Sequence, residues 1–66
     1  MQLTINGKAE EFETGQSLLQ LLQQLNITEG RLAVEVNGEI VPRSSHGEHP
    51  LQANDRIEIV RAIGGG

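Results

Sequence analysis

The sequence predicts an α+β domain in which a mixed sheet of about five strands is covered by one main helix. Three observations lead there. Apolar and polar residues alternate in several short segments, two Asn-Gly pairs punctuate them, and one leucine stripe at helical spacing separates the first strands from the later ones.

Met1, Leu3 and Ile5 alternate with Gln2 and Thr4, the pattern of a strand with one buried face. Asn6-Gly7 follows, a hairpin signal because both residue types accept positive φ. The returning strand is expected from Lys8 to Glu13, with Phe12 pointing inward. Gly15 then breaks the chain and Ser17 opens a helix. Ser17 and Gln20 have the spacing of a capping box, in which each side chain satisfies a backbone N–H of the other residue. Leu18, Leu21, Leu22 and Leu25 fall at i, i+3, i+4 and i+7, a stripe too short for a coiled coil and therefore core. Asn26 suits the helix C-terminal cap because it tolerates the left-handed conformation.

Leu32, Val34 and Val36 alternate with Ala33 and Glu35 as a third strand, and Asn37-Gly38 marks a second hairpin. Glu39-Ile40-Val41 is a short fourth strand ended by Pro42, which cannot donate to a ladder. The polar stretch from Arg43 to Pro50 reads as irregular, Leu51 as a lone anchor, and Asn54-Asp55 as a turn. The last strand is expected from Arg56 to Ile63, with Ile57 and Ile59 on one face and Glu58, Val60 and Ala62 on the other. The order is ββαββ plus a final β. With that last strand at the centre, the first and last strands lie adjacent and parallel through a right-handed crossover. This arrangement is the β-grasp, or ubiquitin-like, fold. Its domain spans 1–63, and 64–66 form a glycine tail expected to project as a flexible thread.

At 66 residues the chain forms one domain that buries only about 60% of its unfolded surface. A net charge of −4 with a single Lys disfavours nucleic acid and anionic membranes, and no aromatic platform for bases is present. An acidic surface suits a basic partner groove, but it equally suits simple solubility. Cysteine is absent, which excludes disulfides, thiolate metal sites and a cysteine nucleophile. The first residues lack the basic start and apolar run of a signal peptide, and no stretch is long enough to span a membrane. A cytoplasmic protein is the expectation.

Ile63-Gly64-Gly65-Gly66 is the most informative segment. Four extended residues reach roughly 13 Å, enough to push a carboxylate into another protein's active site. Without side chains, Gly64 and Gly65 let a narrow channel close around the backbone. A carboxylate becomes an electrophile once activated, typically as an acyl-adenylate, so a carrier of this kind needs no catalytic residue of its own. Taken alone, the same glycines also fit a frayed end or a linker. They gain meaning from the strand that runs straight into them.

Other candidates are weaker. His46 and His49 with Glu48 between them could begin a zinc site, but third and fourth ligands are missing and nothing brings Asp55 within reach, so solvated loop histidines are favoured. Ser17 has no base to activate it, and capping suffices to explain it. Asp55 and Arg56 could pair, to little effect if exposed. No glycine-rich phosphate loop is present, so no bound cofactor is expected. Val60, Ala62 and Ile63, on the outer face of the last strand, are candidates for docking a partner.

Several segments resemble the sulfur-carrier proteins of thiamine biosynthesis, the ThiS family. They are Met1-Gln2-Leu3-Thr4-Ile5-Asn6-Gly7, the run from Val34 through Asn37-Gly38-Glu39-Ile40-Val41-Pro42 to Arg43, Asn54-Asp55-Arg56-Ile57-Glu58-Ile59-Val60 and the closing glycines. The glycine end is common to many ubiquitin-like proteins, whereas the Asn-Gly-Glu-Ile-Val-Pro-Arg run is far more specific. The resemblance implies a cycle. An E1-like adenylyltransferase of the ThiF type uses ATP to form an acyl-adenylate on Gly66. A persulfide sulfur, drawn from cysteine through a cysteine desulfurase, replaces AMP and leaves a thiocarboxylate. Thiazole synthase of the ThiG type takes up that sulfur while building the thiazole ring. Where the family commonly has Gly before the turn Asp, this chain has Asn54, the non-glycine residue best suited to positive φ. Rival readings are the small subunit of molybdopterin synthase, a protein modifier conjugated through Gly66, and an interaction module with an inert tail.

Overall fold

A computed structural model of the protein describes residues 1–27 and 31–62. Among them, strand β1 (Gln2–Ile5) and strand β2 (Lys8–Glu11) form the first hairpin, and helix α1 spans Leu18–Gln24. Strand β3 (Arg31–Val36) and the two-residue strand β4 (Glu39–Ile40) form the second hairpin, a 3₁₀ helix covers Arg43–Glu48, and strand β5 runs over Arg56–Ala62. The sheet order is β2-β1-β5-β3-β4, so the last strand of the described chain lies in the middle. It runs parallel to β1, with Ile5 opposite Ile57, and antiparallel to β3, with Val34 opposite Ile59. This is the β-grasp predicted from the element order.

The two Asn-Gly pairs turn as their chemistry requires. Asn6 and Gly7 have φ of 49° and 84°, and Asn37 and Gly38 have 54° and 86°. Positive φ at both central residues matches the right-handed twist of the flanking strands. Asn54 also adopts positive φ, at 72°, so the turn before β5 survives without glycine.

Helix α1 is held at both ends by local chemistry. The Ser17 hydroxyl accepts from the Gln20 backbone N–H, and the Gln20 side chain accepts from the Ser17 N–H, completing the capping box. The Leu18 N–H, another donor with no partner inside the helix, is taken by the carbonyl of His49 at 2.9 Å. At the other end Leu25 is the cap, and Asn26 sits one position beyond it with φ 61°. Asn26 N–H bonds to the Gln23 carbonyl and Ile27 N–H to the Leu22 carbonyl, the paired bonds of a Schellman ending. Replacing Ser17 by alanine is expected to cost about 1 kcal/mol, read as a lower urea midpoint with an unchanged slope.

The core lies between α1 and one face of the sheet. Leu18, Leu21 and Leu22 pack with Leu3, Ile5, Val34, Val36, Ile57 and Ile59, joined by Val41 and Leu51 from the connections. Phe12 is half-buried against this cluster, as its position predicts, although β2 ends at Glu11. Strand β4 stops before Val41, whose side chain turns into the core and whose N–H bonds back to the Val34 carbonyl.

The segment expected to be irregular is instead largely helical, and that changes the reading of its histidines. The 3₁₀ helix packs on α1, and it drives His46 into the interior at 4% exposure. The ring donates from Nε2 to the Val41 carbonyl at 3.1 Å, which fixes the tautomer because a carbonyl can only accept. His46 is thus a satisfied core residue rather than a solvated one, and His49 is half-buried beside it in sequence. A polar sequence concealed this, because only tertiary packing decides which residue of a polar turn faces inward.

Candidate functional site

The glycine tail and Ile63 lie outside the described residues, so the site is approached from the strand that delivers it. Strand β5 is held from both sides as far as its hydrogen-bonding partners extend. On the β3 side the pairing is continuous from Val36 opposite Ile57 to Arg31 opposite Ala62. On the β1 side the backbone ladder ends early, and an asparagine side chain extends it. Asn6 N–H bonds to the Ile57 carbonyl at 2.8 Å. The Asn6 amide then accepts from Ile59 N–H at 2.7 Å through Oδ1 and donates to the Ile59 carbonyl at 3.2 Å through Nδ2. A primary amide presents the same donor and acceptor as a peptide unit, so Asn6 adds one more rung after β1 has turned away.

The start of β5 is fixed in a related way. Asn37 Oδ1 accepts from Arg56 N–H at 3.0 Å, and its Nδ2 donates to Asp55 Oδ1 at 3.0 Å. Asp55 Oδ2 in turn accepts from Gln52 N–H at 2.8 Å. At 8% exposure this carboxylate is a buried latch between the second hairpin and the turn before β5. The sequence suggested an Asp55–Arg56 ion pair; the carboxylate is committed instead to neutral N–H donors, and Arg56 points out to solvent. Sequence reasoning read both Asn-Gly pairs as turns only. Their second role, as side-chain clamps on a strand up to 53 residues away, leaves no local signature.

The sheet face turned away from α1 carries the docking candidates. Val60 is 61% exposed and lies opposite Ala33, also exposed, while Ile40 on β4 is 72% exposed and lies opposite Glu35. Glu35 in turn faces Glu58 across β3 and β5, a like-charge pair that weakens the sheet slightly. The face therefore carries two exposed apolar sites, Ile40 and the Val60–Ala33 pair, with Glu35 beside Ile40 and opposite Glu58. The Ala62 side chain and Ile63, the other two candidates, lie outside the described residues.

The remaining candidates are not assembled. Ser17 Oγ is engaged by Gln20, and His46 is committed to Val41. Among the described residues no three His, Cys, Asp or Glu side chains gather as metal ligands, and no helix is long and apolar enough to cross a membrane. What the geometry does offer is a central strand followed in sequence by Ile63 and three glycines.

Comparison with known proteins adds four findings. The sequence pattern of the ThiS family matches residues 3–66, which takes in the glycine tail. The sulfur carrier protein ThiS of Escherichia coli is 35% identical over 66 residues, covering all of both chains. A thiazole synthase of Paramagnetospirillum magneticum is 41% identical over the same 66 residues, but the chain spans only 20% of that protein's length. The crystal structure of a thiamine biosynthesis protein (ThiS) from Geobacter metallireducens superposes over 100% of both chains with a TM-score of 0.86 at 29% identity.

Proposed function

The chain belongs to the ThiS family, and from that premise we propose that it is a sulfur carrier of thiamine biosynthesis loaded on the carboxylate of Gly66. The observation that carries this reading is the family match through residue 66, combined with full-length identity to a protein named as a sulfur carrier.

In this role the chain is a substrate of its partners and performs no catalysis itself. An E1-like adenylyltransferase consumes ATP, releases pyrophosphate and leaves the Gly66 carboxyl as a mixed anhydride with AMP. The terminal sulfur of a persulfide, supplied through a cysteine desulfurase, displaces AMP to give an acyl disulfide. A thiol then cleaves its S–S bond, leaving the carrier as a thiocarboxylate and the thiol joined to the former persulfide sulfur as a disulfide. Gly64 and Gly65 form the arm that threads the partner's channel. Val60, Ala62 and Ile63 lie against the partner's surface. Thiazole synthase is the sulfur acceptor, and a thiazole synthase with a region 41% identical to this chain supports placing the two activities together. The cytoplasm, which holds ATP and a reducing thiol pool, suits this chemistry.

The chain's own contribution is mechanical. A carboxylate must reach the α-phosphate of ATP in line, and a misplacement of about 1 Å can cost on the order of 100-fold in rate. The clamps of Asn6 on Ile59 and of Asn37 on Arg56 fix the strand from which the arm departs.

The test is the intact mass after incubation with ATP, the adenylyltransferase, a desulfurase and cysteine. A gain equal to sulfur minus oxygen, confined to the C-terminal peptide and lost when Gly66 is deleted, is the expected result. An unchanged mass, with the same enzymes active on another carrier, overturns the reading. Isopeptide adducts to lysine would point to a protein modifier instead.

A further inference from the structure

The backbone of β5 alternates sides residue by residue. Even-numbered residues bond toward β3, as the Asn37 N–H to Arg56 carbonyl bond at 2.8 Å shows. Odd-numbered residues face β1: the Ile57 carbonyl accepts from Asn6 N–H, and both polar groups of Ile59 are taken by the Asn6 side chain. The next odd residue is Arg61. Its N–H and carbonyl point to the same edge, one rung past Asn6, where the chain has already turned at Gly7 into β2. Among the described residues no group bonds to either. The central strand of the sheet therefore becomes an edge strand for its last rung, just before the tail.

We propose that this open rung at Arg61 is a strand-pairing site, taken by an extended main-chain segment of the enzyme that adenylates the carrier. The proposal rests on the carrier reading and names how the tail is held. Glycines give an enzyme no side chain to grip, so their position has to be read from the backbone. Main-chain pairing is the form of peptide recognition that does this. The Arg61 rung lies where a partner strand would continue the edge that β1 and Asn6 occupy up to Ile59. An alternative role for Arg61 is protective, since a charged side chain on an exposed edge discourages unwanted pairing. The two roles differ in which atoms matter: the backbone N–H in one, the guanidinium in the other.

The experiment compares Arg61→Pro, which removes the N–H, with Arg61→Ala, which keeps it. Both are made in the full chain, and affinity for the adenylyltransferase and ATP-dependent pyrophosphate release are measured. Because this N–H has no partner among the described residues, proline is expected to leave the domain folded, checked by amide chemical shifts of Ile59 and β3. A synthetic chain with an ester in place of the Arg61 amide gives the same deletion without the proline ring. Both backbone changes should weaken binding about 10- to 100-fold, the effect of one unmade hydrogen bond in a buried site. Arg61→Ala should stay within about threefold, as expected for an exposed side chain. Wild-type binding by the ester chain, or an equal loss in Arg61→Ala, overturns the pairing site while leaving the carrier reading intact. A wild-type chain that is never adenylated overturns both. Self-association that disappears in the ester chain would assign the rung to a second copy of this chain and overturn the enzyme as its occupant.

Discussion

Replacing Leu21 by alanine is expected to lower the thermal midpoint by about 8–40 °C, enough to leave much of the protein unfolded near 37 °C. Leu21 is fully buried at the centre of the stripe that α1 presents to the sheet. Truncating such a leucine costs about 2–5 kcal/mol through lost burial and the cavity left behind. A domain of this size without disulfides or metal holds only about 3–5 kcal/mol in its core. Each kcal/mol moves the midpoint by about 4–8 °C in domains this small. Leu19, on the same helix but 42% exposed, is the control, and its alanine variant should shift the midpoint by no more than a few degrees. Far-UV circular dichroism melts of the two variants decide the matter. Similar melts would mean that the helix does not pack as described.

Replacing Gly65 by valine is expected to reduce adenylation by at least about 100-fold while leaving the melt unchanged. The core residues of the described chain end at Ile59. The loss arises in the partner. A channel shaped to a side-chain-free backbone has no room for a β-branched residue, and displacing the carboxylate by about 1 Å forfeits on the order of 100-fold. Pyrophosphate release at saturating ATP measures the effect. Wild-type turnover in the valine variant would show that the tail is not enclosed, and the threading role would fall with it.

Much of the fold was legible because it is written in short-range patterns. The alternation of Leu3 and Ile5, the Ser17–Gln20 box and the leucine stripe each involve residues within a turn or a strand of one another. The two hairpins and the helix then leave the final strand one place, between β1 and β3. What stayed hidden is long-range and polar. Asn6 reaches Ile59, Asn37 reaches Asp55 and Arg56, and His46 is buried under α1 by a 3₁₀ helix in a stretch that reads as loop. Each of these is a polar residue whose partner is chosen by the assembled fold. The glycine tail lies outside the described residues, and the family match extends through it to residue 66.

The central position of β5 also governs what a ribosome can release. The last strand of the described chain supplies the pairing for both β1 and β3, so an emerging chain holds two hairpins and a helix with no shared sheet until Arg56–Ala62 has appeared. A nascent chain interrupted before that point lacks Ile57 and Ile59 from its interior and cannot close it. Products truncated before β5 would then be left to proteolysis rather than survive as folded domains.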